Sequence, residues 1–153
     1  MATQVIGTLC VEYFSGDPKR VKFLKPLRGY SETIKAWFEI PVGFICDLES
    51  VPIVKGTNNE SGAIHDYFSR YNSVPVVSKT QCALIYLEFQ RYFDLQEGGL
   101  INTVWDLVRR IIKTAVVWVA PRYFHRLPVN ATYEQVVGIE RPDVDVWYRR
   151  RPV

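Results

Sequence analysis

Two histidines occur among the 153 residues, and one of them, His65, stands directly beside Asp66. Upstream lies the stretch Gly43-Phe44-Ile45-Cys46-Asp47-Leu48-Glu49-Ser50-Val51-Pro52, which contributes Asp47 and Ser50. An imidazole oriented by a carboxylate keeps its other nitrogen free as a base or a metal ligand. Two carboxylates such as Asp47 and Asp66 can hold a hard divalent cation, and Ser50 offers a hydroxyl set by the following turn. Together these groups could activate water for metal-assisted hydrolysis, with His65 as the base. The same residue types have a second use. Short polar side chains at turns bond to nearby backbone amides, and a helical histidine can simply donate to a carbonyl. The sequence leaves both open: a reactive site of His65, Asp47 and Ser50 with a cation at Asp47 and Asp66, or a structural clasp. Neighbouring residues on a helix project about 100° apart, so His65 and Asp66 are expected to serve different partners, with Asp47 orienting His65.

Other chemistry is thinner. Cys10, Cys46 and Cys82 are widely spaced and odd in number, which suits reduced, buried thiols better than a disulfide framework or a zinc site. Cys46 borders the motif without a second histidine near it in sequence, and His125 among Tyr123 and Phe124 fits an exposed surface position. No H-E-x-x-H, G-x-S-x-G or phosphate-binding loop is present. Trp105 and Trp118 fit core or interface positions rather than base-stacking ones.

The elements that must position His65 follow from periodicity. Val5 to Phe14 mixes β-branched and aromatic residues, and Gly16-Asp17-Pro18 is a turn signal. Arg20 to Lys25 alternates charge with hydrophobe, as a half-buried strand does, and Pro26 and Gly29 are expected to break it. Thr33 to Ile40 makes a third strand with Ile34, Ala36 and Phe38 on one face, ended by Pro41 and Gly43. After a polar loop from Lys55 to Ser61, Ser61 is the expected cap of a helix through Ala63, Ile64, Tyr67 and Phe68. Ser78 caps a second, with Cys82, Ile85, Tyr86, Phe89 and Phe93 at helical spacing. A third runs from Leu100 to Val119, and the breadth of its apolar stripe (Val104, Leu107, Val108, Ile111, Ile112, Ala115) predicts burial in the core. The chain beyond holds Pro128, Pro142 and Pro152, and one short strand is expected at Tyr133 to Ile139. Strands first and helices afterwards predict an α+β fold: a small antiparallel sheet packed by about three helices. Residues 1–121 form the expected domain and 122–153 an extended C-terminal arm.

Hydrophobic residues make up 48% and charged residues 23% of the chain, which places it among soluble globular proteins. A net charge of +3 is too small to argue for nucleic acid, and no recognised nucleic-acid module occurs, so that partner is not expected. The apolar run from Thr114 to Ala120 is far short of the ~20 residues needed to span a bilayer. The first residues lack the basic-then-apolar layout of a signal peptide. Synthesis and folding in a reducing cytoplasm are expected.

The string P-x-G-F-x-x-D-x-x-S-x-P, from Pro41 to Pro52, followed by A-x-H-D-Y, from Ala63 to Tyr67, resembles an uncharacterised family of small proteins encoded by tailed bacteriophages and prophages. The likeness extends from about Thr33 to Trp118 and includes the helix bearing Tyr86 and Glu88. Cys46 and Glu49 depart from the family's threonine and alanine, and Ala83 stands where relatives tend to carry an acid. If that acid completes a metal site, this chain has lost a ligand. A fainter likeness, to phospholipases A2, rests on the His65-Asp66 pair and Tyr71, without their calcium loop.

The phage resemblance implies a virion-associated structural or accessory protein at the tail or baseplate, partnered by other phage structural proteins. It would be made in the host cytoplasm and then built into the virion. Trp147, Tyr148, Arg149, Arg150 and Arg151 belong to the residue types enriched at interface hot spots and are the expected partner-binding residues. The alternative is a metal-assisted hydrolase acting on cell-envelope polymer or lipid, with a divalent cation as its cofactor.

Overall fold

The computed structural model describes residues 1–47, 59–96 and 127–140, together with Leu107, Val108, Ile111, Ile112, Thr114, Ala115 and Trp118. Six short strands come first: β1 (Gln4–Ile6), β2 (Val11–Phe14), β3 (Asp17–Phe23), β4 (Leu27–Ser31), β5 (Ala36–Ile40) and β6 (Ile45–Asp47). Among the described residues the helices α1 (Asn59–Phe68), α2 (Lys79–Gln96) and α3 (Tyr133–Glu140) follow, besides the isolated helical positions between 107 and 118. The α+β class is as the sequence predicts.

The strands make two antiparallel sheets rather than one, in the orders β1-β4-β5 and β2-β3-β6. The expected single strand from Val5 to Phe14 is split because Gly7 takes a φ of 100°, a left-handed conformation that sends the chain from one sheet to the other. Gly29 does not break the chain either. It pairs with Phe38 in the centre of β4, and a Cβ there would lie 2.5 Å from the Phe38 ring. The ring takes the space that a side chain would fill, so this glycine permits close approach within a strand. Gly43, at φ 85°, turns the chain from β5 into β6.

The core lies between the sheets and the first two helices. Val21, Phe23, Leu27, Phe38, Ile40 and Phe44 meet Ile64, Tyr67, Phe68, Ile85 and Phe89, all buried. Phe38 is the hub, edge-on to Phe68 at 5.0 Å and to Phe89 at 5.6 Å. Such edge-to-face contacts add to the free energy of burial itself.

The helix ends follow capping chemistry. Ser78 and Gln81 form a reciprocal capping box at α2, with bonds of 3.2 and 2.9 Å. Helix α1 begins two residues before the expected cap, and Ser61 is buried inside it.

Tyr133–Glu140 is helical, not the short strand expected within an extended arm. Thr132 and Gln135 make a second capping box (Thr132 N to Gln135 Oε1 2.9 Å, Gln135 N to Thr132 Oγ1 3.4 Å), which nucleates α3. Val136, Leu127 and Ala131 bury against Ile45, Tyr133 stacks on Phe14 at 4.3 Å, and its hydroxyl donates to Asp17. Residues 127–140 therefore belong to the folded body. Of the expected arm, 122–126 and 141–153 lie outside the described residues.

The described positions between 107 and 118 are helical, but their expected burial is not found. Leu107, Ile111 and Ile112 are exposed, while the core over the sheets is built from side chains of α1 and α2.

Candidate functional site

The His65–Asp66 pair sits where α1 crosses the outer edge of β6. Among the described residues that strand pairs only with β3, which leaves backbone groups needing partners on its other side. Two side chains supply them. Asp66 accepts the Asp47 amide N–H at 3.1 Å, and the buried Arg70 donates to the Ile45 carbonyl at 2.8 Å. Asp66 and Arg70 are four positions apart, about 6 Å along a helix, while Ile45 and Asp47 are two apart, about 6.6 Å along a strand. The match lets one acceptor and one donor stand in for a further strand.

The cluster is charged and buried. Burial lowers the Arg70 pKa, while Asp66 raises it, and the guanidinium lies 5.3 Å from the Phe44 ring centroid. His65 Nδ1 is 3.3 Å from Asp66 Oδ1, so the two residues do pair, contrary to the expectation from helical projection. On its other side, His65 Nε2 is 3.4 Å from Ser69 Oγ, whose hydroxyl donates to the His65 carbonyl at 2.9 Å. Cys82 Sγ contacts the same carbonyl at 3.6 Å, and the Tyr86 ring lies 5.3 Å from the imidazole. Burial disfavours the imidazolium, but Cys82 and Asp66 outweigh it and push the His65 pKa up to about 10. A proton held through neutral pH weighs against a general-base role and suits a histidine that donates from both nitrogens.

Of the residues expected to do chemistry, Asp47, His65 and Asp66 are brought to one junction, though Asp47 meets α1 through its backbone and Asp66, not by orienting His65. Ser50 lies outside the described residues, as do Trp147, Tyr148, Arg149, Arg150 and Arg151. Among the described residues, no group of three or more His, Cys, Asp and Glu is placed to hold a metal ion. Burial raises the Cys46 pKa, with Asp66 and Asp47 adding to the rise and Arg70 opposing it, so the thiol stays protonated.

Sequence reasoning missed Arg70, Ser69 and Glu88. The four-residue spacing of Asp66 and Arg70 was the available signal for the first. Glu88, on α2, accepts from Thr3 Oγ1 at 2.6 Å, Ser31 Oγ at 2.8 Å, Glu32 N at 2.8 Å and Thr33 N at 3.1 Å. It ties α2 to the β4–β5 turn and the N-terminal residues. Ala83, on the same helix as Glu88, is buried.

An open groove of about 640 Å³ lies elsewhere, lined by Ile6, Trp37, Pro41, Tyr67, Val74 and Val129 among others, and not by His65, Asp66 or Ser69. Among the described residues no helix is long and apolar enough to cross a membrane. Comparison with protein-family models, curated proteins and solved structures finds no match to this chain.

Proposed function

We propose that this chain is a non-catalytic accessory or structural component of a tailed-phage particle, at the tail or baseplate, with the His65–Asp66 cluster as its internal clasp. The observation that carries this reading is the commitment of Asp66. Its carboxylate is buried, bonded to the Asp47 amide and in contact with His65, so the motif's chemistry is spent on holding β6 to α1. The motif's likeness to the phage family supports the particle setting. Trp147, Tyr148, Arg149, Arg150 and Arg151 would contact a neighbouring subunit, being of the residue types enriched at interface hot spots.

The test is a chain ending at Glu140, which keeps α3, introduced into the phage genome that encodes the protein. The isolated variant should match the full-length circular dichroism and thermal midpoint, yet be missing from purified particles. Incorporation at the parental level refutes docking through the arm. Absence of the full-length chain from parental particles refutes the virion role itself.

A further inference from the structure

The open groove of about 640 Å³ has two walls of different make. One is the outer face of the sheet β1-β4-β5. Ile6, Arg28 and Glu39 stand in register across its three strands, and Trp37, two residues from Glu39, shares that face. Arg28 and Glu39 are joined as an ion pair, with side chains 63% and 44% exposed. Trp37 is 45% exposed, and Tyr30 braces its ring edge-on at 5.6 Å.

Tyr67, Asn72, Val74 and Val129 line the other wall, and hydrogen bonds hold it in place. The Tyr67 hydroxyl accepts the Val74 N–H at 3.0 Å and donates to the Val74 carbonyl at 3.2 Å. Asn72 Oδ1 accepts the Val129 N–H at 2.7 Å, which fixes the amide plane and leaves its nitrogen as a donor. A cleft of this size, apolar for the most part with a few fixed polar groups, has the make of a preformed small-ligand site.

The polar groups decide between ligands. Arg28 and Glu39 neutralise each other, so the pair supplies donors and acceptors without net charge, and an anionic ligand gains no attraction from it. An apolar protein surface laid over the pair would strip its water without replacing the hydrogen bonds. A sugar ring meets both conditions. Each hydroxyl donates and accepts, so one ring can bond to guanidinium, carboxylate and amide together, while its C–H face lies on the exposed indole.

We propose that this groove binds a neutral oligosaccharide, stacked by one ring on Trp37 and hydrogen-bonded through its hydroxyls to Arg28, Glu39 and Asn72.

The full-length chain is titrated with maltohexaose, cellohexaose and tri-N-acetylchitotriose, with a hyaluronan tetrasaccharide as the anionic comparison. Heat is measured by calorimetry, and the Trp37 indole N–H is followed by NMR, assigned by its absence from Trp37→Phe. Saturable binding of at least one neutral sugar is expected, with a shift of the Trp37 resonance and equal affinity at low and high salt. Trp37→Ala should weaken binding about tenfold through the lost stacking. Glu39→Ala should weaken it by roughly tenfold through a lost charge-assisted hydrogen bond, and it serves as the readout should Trp37→Ala fail to fold. Failure of all three neutral sugars to bind overturns the proposal. So does binding that survives both substitutions, or binding confined to hyaluronan and released by salt. A dimer that Trp37→Ala dissociates gives the groove to a second copy and equally overturns it. None of these outcomes depends on whether the chain is built into a particle.

Discussion

His65 shows how an environment decides what a residue can do. Its pKa of about 10 lies above the ordinary 6.5, so the folded state holds a proton that the unfolded chain releases. The resulting stabilisation is whole below pH 6.5 and is lost as pH rises through 10. Urea denaturation across this window should show the parent losing on the order of 3 kcal/mol relative to His65→Leu, whose stability lacks this slope. Parallel curves for the two proteins would mean that the imidazole is neutral in the fold. Gln90 is the opposite case: it is buried in α2, and among the described residues neither its amide oxygen nor its nitrogen has a partner. An unpaired buried amide costs about 1–2 kcal/mol, so Gln90→Met should raise the urea midpoint with the slope unchanged.

At the scale of elements, the strands owe their pairing to close approach as much as to β-propensity. Gly29→Ala would place a methyl 2.5 Å from the Phe38 ring, and that ring packs against Phe68 and Phe89. The ring must shift, and a loss of roughly 2 kcal/mol is expected in chemical denaturation, although alanine ordinarily stabilises a chain relative to glycine. A neutral or stabilising result would show that the ring has room to move. Helix α3 teaches a related lesson. The T-x-x-Q box at Thr132 and Gln135 is a start signal legible in the sequence, whereas the nearby prolines and mixed charges favour an extended arm. Its decisive support is tertiary, from Val136 buried with Ile45 and Tyr133 stacked on Phe14.

Across the whole molecule, the chain passes back and forth between its two sheets, and α1 and α2 close the shared core. Glu88 reinforces this arrangement from α2 by accepting four hydrogen bonds from the N-terminal residues and the β4–β5 turn. Glu88→Gln cannot reproduce them, because whichever way the amide is turned its nitrogen faces the N–H of Glu32 or Thr33. A loss of about 2 kcal/mol is expected in urea denaturation, in a single transition shared by helical and aromatic signals. Separate transitions would mean that the sheets and helices unfold independently.

Local signals in the sequence are enough for the α+β class, the Ser78 cap and the turn at Gly43. These depend on neighbouring residues: alternation, helical spacing and side chains that bond within a turn of themselves. Only the tertiary structure decided that the strands divide between two sheets and that Asp66 is spent on the Asp47 amide while Arg70 takes the Ile45 carbonyl. It also decided that Leu107 and Ile111 face outward. Each of those outcomes depends on which distant surface already fills the space, and an apolar stripe has the same spacing whether the body or something outside it provides the cover.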